Sequence, residues 1–168
     1  MSIRAELLAQ RIEEGARELE AFAQSLPTEQ WHTAILPDGR PAGVIVHHVA
    51  SVYPIEIHLA REIAAGKAIT GLTWAAIAEM NAKHAQEFSA VHKQETLELL
   101  RRNSRAAAEA VRAFTDEELD RAAPVSLNAD AVLTAQFMIE DHAVRHSYHH
   151  LARIQQALAV SVSSARIG

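Results

Sequence analysis

Apolar residues along this chain recur at three- and four-residue spacing over long stretches, the period of amphipathic helices. Ser2 can cap a first helix that is expected to run to about Gln24, with Leu7, Leu8, Ile12, Leu19 and Phe22 on its buried side. Leu26 to Trp31 ends that helix, and Pro37-Asp38-Gly39-Arg40-Pro41 makes a turn-rich connector. A second helix is expected from Ala42 to Ala65, kinked at Pro54, which has no backbone donor. Gly66 and Gly71 bracket the next loop, and Thr73 can cap a helical region from Trp74 to Phe114. About forty residues is long for a globular helix, so a break is expected near Ser89 to Lys93, although the pattern alone does not demand it.

Thr115 to Leu119 starts a short helical turn and Pro124 to Asp130 reads as a loop. Asn128 or Asp130 is then expected to cap a last helix from about Ala131 to Leu158, followed by a loosely held tail from Ala159 to Gly168. No internal repeat or low-complexity tract interrupts the pattern. Together these elements predict an all-α fold: one domain over residues 1–158, a bundle of four main helices with one or two short extra ones.

Composition agrees and narrows the function classes. Of 168 residues 49% are hydrophobic and only 5% aromatic, with Ala and Leu dominant, which favours packed helices over a sandwich or barrel. The formal net charge of -5 comes without a basic block, so nucleic-acid binding has little electrostatic support. No apolar run reaches the length of a membrane span and the first residues are amphipathic rather than signal-like, so a soluble cytoplasmic protein is the default expectation. With no cysteine there is no disulfide, no thiolate ligand and no cysteine nucleophile.

The candidate chemistry lies in the ten histidines, four of which fall within Asp141 to His150. An i,i+4 pair is weak evidence by itself, since random placement gives roughly 0.6 such pairs in this chain. Helix phase is more selective. His48 shares a face with Val44, Ile45, Val52, Ile55 and Leu59, whereas His47 lines up with Gly43, Ser51, Pro54 and His58, a more polar surface. On the last helix an apolar stripe through Ile139, Ala143 and Ile154 includes His146 and His150, while His142 and His149 fall on a mixed flank with Met138 and Arg145. Burying three imidazoles without partners costs about 1–3 kcal/mol each, so His48, His146 and His150 need partners. Either one metal ion satisfies all three, in the open three-ligand arrangement of reactive zinc sites, or each is a separately hydrogen-bonded core histidine.

At these residues the sequence resembles the DinB/YfiT-like family of metal-binding helical bundles. The resemblance is strongest at Arg145-His146-Ser147-Tyr148-His149-His150-Leu151-Ala152-Arg153-Ile154, where a His is followed by a His-His pair. Val46-His47-His48-Val49-Ala50, Leu26 to Trp31 and Phe114 to Asp120 are similar to other segments of that family, and the likeness spans about residues 5 to 158. It implies a four-helix bundle of DinB/YfiT type and a three-His site on His48, His146 and His150. It also implies a divalent ion, nickel or zinc, with water in the remaining positions, and a homodimer. One departure is Leu151-Ala152-Arg153, where the family often has Arg-Gly-Gln; it bears on packing beyond the site, not on the ligands.

A three-His ion with an open position can polarise a carbonyl, activate water or lower the pKa of a bound thiol. A His-Glu-x-x-His protease would need a glutamate where Ser147 stands, and a di-iron bundle would need several inward carboxylates with Glu-x-x-His pairs that the main helices lack. Some members of the resembled family transfer low-molecular-weight thiols to electrophiles or use them in isomerisation. A metal-dependent thiol S-transferase is therefore the leading expectation, with a small-molecule substrate and an external thiol, followed by a metal-dependent hydrolase. The competing class is a non-catalytic metal-binding stress protein. His84 shares a stripe with Ile77, Met80 and Phe88 and is a candidate for the pocket wall or the core. His142, Tyr148 and His149 are candidates for orienting a ligand or touching substrate, Glu140 and Asp141 for the rim, and Arg145 and Arg153 for a carboxylate. His32, His58 and His92 read as surface or loop residues.

Overall fold

The structure, a computed structural model, describes residues 2–165, with side chains described to residue 159. The first helix, α1 (Ile3–Ser25), opens on Ser2, whose hydroxyl accepts from the Ala5 N–H at 3.0 Å. Leu8, Ile12, Ala16 and Leu19 are buried at four- and three-residue steps, and Phe22 is half-buried. Leu7, expected inside, is 55% exposed, because its position lies a quarter-turn off that stripe.

A one-turn helix, α2 (Thr28–Trp31), comes next and brings Trp31 against α3 (Ala42–Ala64). The fit depends on Gly43: a Cβ there would lie 2.3 Å from the indole. The Trp31 Nε1–H donates to the Val91 carbonyl at 3.1 Å, tying this corner to a segment 60 residues further on. Within α3, Pro54 leaves the carbonyl of Ala50 without its usual intrahelical donor. The Asn103 side-chain amide supplies one at 2.8 Å, so the helix continues through the proline.

The long helical region expected from Trp74 to Phe114 divides into α4 (Trp74–Glu87), capped by Thr73, and α5 (Lys93–Arg112), with the break at the expected place. α5 packs along both α1 and α3, burying Leu97, Leu100, Ala108 and Val111. Arg112 reinforces the α1–α5 seam with ion pairs to Glu6 (2.9 Å) and Glu13 (2.8 Å). The short α6 (Asp116–Asp120) starts on a capping box formed by Thr115 and Glu118.

The expected helix start at Ala131 is wrong. Ala131–Thr134 is a strand, β2, paired antiparallel with β1 (Ala122–Val125) in the register Ala122↔Thr134. Asn128 and Asp130 are not caps. Asn128 ends a 3-10 turn, while Ala129 and Asp130 turn the chain with φ of 55° and 58°. Pro124 suggests a loop in sequence, but here it sits in a short strand opposite Val132, a placement a two-stranded ribbon tolerates. Ile69 joins this ribbon through its N–H to Pro124 (2.9 Å) and its carbonyl from Ser126 (2.9 Å).

Thr134 is the true cap, accepting from the Phe137 N–H at 3.1 Å, and α7 (Ala135–Met138) follows. A π-helical stretch, Ile139–Val144, then leads into α8 (Arg145–Ala165), which runs past the expected end near Leu158. The rest of the expected tail, residues 166–168, lies outside the described residues. Thus α1, α3, α5 and the continuous α7–α8 unit form a four-helix bundle around Ile12, Leu19, Ile45, Leu97, Leu100 and Ile154. Among the described residues, no helix is long and apolar enough to cross a membrane.

Candidate metal centre

Two helices place the histidines that phase selects. His48 lies in the first half of α3 and is 5% exposed; His150 on α8 is 7% exposed; His146, one turn earlier, is half-buried. One ring nitrogen from each lies within 4.8 Å of the other two. The rings are also mutual neighbours, with centroids 5.1 Å apart for His48–His146, 5.6 Å for His48–His150 and 4.8 Å for His146–His150. The rings of His48 and His150 make no hydrogen bond to another side chain or to backbone among the described residues.

Burial, with His146 alongside, pushes His48 down to about 3 and His150 down to about 2. Both rings are therefore neutral near pH 7, the state in which imidazole offers a lone pair to a metal. A buried carboxylate, Glu56, fixes the third: its Oε1 accepts from His146 Nδ1 at 2.6 Å. With Nδ1 occupied, Nε2 of His146 is left for the shared centre, the arrangement in which an outer carboxylate orients a ligating imidazole. The donor set therefore fits a divalent ion that accepts nitrogen ligands.

Glu56 was not identified from sequence. The face assigned to His48 runs through Val52, Ile55 and Leu59, yet Ile55 is 44% exposed while Glu56 is buried. That face lines a cavity of about 430 Å³ rather than closed core, and Glu56, part of a turn away, enters the seam with the last helix. The available signal was a carboxylate set between Tyr53 and Ile57 on a helix that is otherwise apolar over this stretch. Asp38 and Arg40, which sequence shows only as part of a turn-rich connector, belong to the site as well. They line the same cavity as a two-pronged ion pair, Nε to Oδ1 at 2.6 Å and Nη2 to Oδ2 at 2.7 Å.

The remaining candidates are divided by the fold. His142 and the exposed His149 line the cavity, His149 with its ring 5.2 Å from that of His150. Asp141 is there too, 3.1 Å from Arg145, whereas Glu140 faces Arg11 at 3.3 Å. His84 does not line this cavity: it meets His47 at 2.9 Å and packs against Phe88, joining α4 to α3. Tyr148 points away, against α1, where a Cβ on Gly15 would come within 2.9 Å of its ring. His32, His58 and His92 are exposed, as expected.

The family model of the DinB superfamily matches residues 11–154. The chain belongs to the DinB superfamily. The fold is shared with YfiT from Bacillus subtilis, described as "a probable metal-dependent hydrolase with an unusual four-helix bundle topology". That match has a TM-score of 0.74 at 17% identity, over 94% of this chain and 87% of that one. An uncharacterized protein from Clostridium difficile 630 matches with a TM-score of 0.68 at 17% identity, over 93% of this chain and 96% of that one. No curated protein matches the sequence. The DinB assignment and the four-helix fold agree with the expectation drawn from the histidine motifs.

Proposed function

We propose that this DinB protein holds a divalent ion, nickel or zinc, on His48, His146 and His150, and that its first function is low-molecular-weight thiol S-transfer. The observation that carries the reading is the convergence of three ligand nitrogens within 4.8 Å at the base of an open cavity. An ion held there supplies Lewis acidity and lowers the pKa of a thiol or water that reaches its open position. The chain's own residues prepare that position. Burial keeps His48 and His150 deprotonated, and Glu56 holds the proton on Nδ1 of His146. Trp74 and Ile77 offer an apolar wall against which an electrophile can be held out of water. The protein has no cysteine, so the sulfur nucleophile comes from outside.

A metal-dependent hydrolase is the second reading. The description of YfiT supports it, as does the presence of His142 and Asp141 in the cavity wall, either of which offers a base for water. A homodimer, a cytoplasmic location and, for a member without turnover, a metal-binding stress role belong to the same set of proposals. Elemental analysis of purified His146→Ala and His150→Ala tests the centre: both are expected to lose stoichiometric metal and keep their helical circular dichroism. Full occupancy in both would sink it, while His47→Ala is expected to bind normally. The metal-loaded protein is then assayed with cysteine, glutathione or coenzyme A plus chlorodinitrobenzene, and separately with nitrophenyl esters. Turnover of esters alone favours the hydrolase, and no turnover despite full metal favours the binding role.

A further inference from the structure

Around the cavity the charged groups fall into pairs, and one cation is left over. Arg40 is held by both oxygens of Asp38, Arg145 lies 3.1 Å from Asp141, and Glu56 is committed to His146. Arg153 lies on α8 one turn beyond His150, half-buried in the wall of the same cavity. It makes no hydrogen bond or close ion pair among the described residues, and its charge reaches the Asp38 carboxylate only at longer range. A guanidinium in that position lacks a planar two-oxygen acceptor, the geometry a carboxylate provides. A divalent ion on neutral imidazoles would add to the positive potential there.

The wall contributed by α4 and the loop before it has the opposite character. Trp74 is 66% exposed and Met80 39% exposed, and Ile77 and Leu72 continue the same apolar surface into the cavity. Apolar side chains this open, collected in one cavity with a guanidinium that has no contacting carboxylate, describe the outline of a ligand with two unlike ends.

Building on the metal-site reading, we propose that the cavity takes an amphipathic monoanion, its carboxylate on Arg153 and its apolar body against Trp74 and Ile77. Arg153 also borders a second hollow of about 440 Å³ formed with Thr33 to Pro37 and the stretch of α8 near Leu158, and the two placements give different signals. The chain's two tryptophans differ sharply: Trp31 is 3% exposed and Trp74 66%. A blue shift in tryptophan emission on ligand binding therefore reports cover over Trp74.

The test titrates the full chain, both metal-free and zinc-loaded, with octanoate and with octanamide. Octanoate is expected to give a saturable blue shift in both forms, and octanamide to bind about tenfold more weakly or worse. Arg153→Gln is expected to weaken octanoate by a similar factor, leave octanamide unchanged and retain the parent's zinc content. Equal binding of the two ligands overturns the proposal, as does undiminished octanoate binding in Arg153→Gln. Octanoate binding without a change at Trp74 overturns it too, by placing the anion in the second hollow. If octanoate binds the metal-free chain as described but the chain takes up no zinc, the metal reading fails and this one stands.

Discussion

Helices α4 and α5 follow one another in sequence, and both are amphipathic, yet the fold uses them oppositely. α5 inserts Leu97, Leu100, Ala108 and Val111 between α1 and α3, where each is fully buried. α4 buries none of its residues, packs only against α3 to any extent, and turns Ile77 and Met80 toward the cavity. Its hold on the bundle comes from the His84–His47 contact and from Phe88, which stacks on the His47 ring at 4.2 Å. A helical apolar stripe thus says which face is apolar, and the neighbour decides whether that face becomes core or binding surface. In this protein the loosely held helix supplies one wall of the candidate site, whose other walls come from α3 and α8, as expected where a wall must meet a ligand.

The comparison is easiest to break by substitution in each region. Ile12→Ala in the bundle is expected to cost about 2–5 kcal/mol in urea unfolding, whereas Ile77→Ala on α4 should cost less than about 1 kcal/mol. Similar losses for the two would remove the distinction. Acid comes next in size. His48 and His150 have folded pKa values of about 3 and about 2, below the unfolded value of 6.5, so the unfolded chain takes up their protons first as pH falls. Stability is complete above about pH 6.5 and falls toward pH 3, by on the order of 2 kcal/mol per histidine at pH 5. A metal-free protein equally stable at pH 7 and pH 5 would show that these imidazoles do not belong to the rigid region.

Glu56→Gln keeps the shape of the seam but loses the charge behind His146. Metal affinity is expected to drop about tenfold or more by competition with a chromogenic chelator, with helicity unchanged. An affinity within twofold of the parent would deny Glu56 its orienting role. The smallest effect is expected for His84→Ala: a change in global stability below about 1 kcal/mol and faster hydrogen exchange confined to α4. Protection lost throughout the bundle would mean that α4 is part of the core after all.

Much of this architecture is encoded locally and was legible for that reason. Ser2 and Thr73 bond to backbone three residues away, so their caps follow from adjacent residues. The phase that separates His48 from His47 is a property of one helix, and the same is true of His146 and His150 one turn apart on α8. The misreadings arose where a distant segment intervenes. Ala131–Thr134 looks like a helix start until β1 pairs with it, and no local pattern shows that the Ala50 carbonyl freed by Pro54 finds its donor in Asn103, fifty-three residues beyond Ala50. Leu7 shows that even local phase slips by one position when hydrophobic residues are adjacent.

By itself the sequence determined an all-α bundle, most of the helix boundaries, and the identity of three histidines on inward faces, because periodicity and capping are short-range. Only the tertiary structure decided that those faces converge and that Glu56 stands behind His146. It also decided that α4 lines a cavity and that Arg153 is there without a carboxylate in contact. Those facts depend on which surfaces meet across the bundle, and a single helix's pattern specifies that a face seeks burial without specifying its partner.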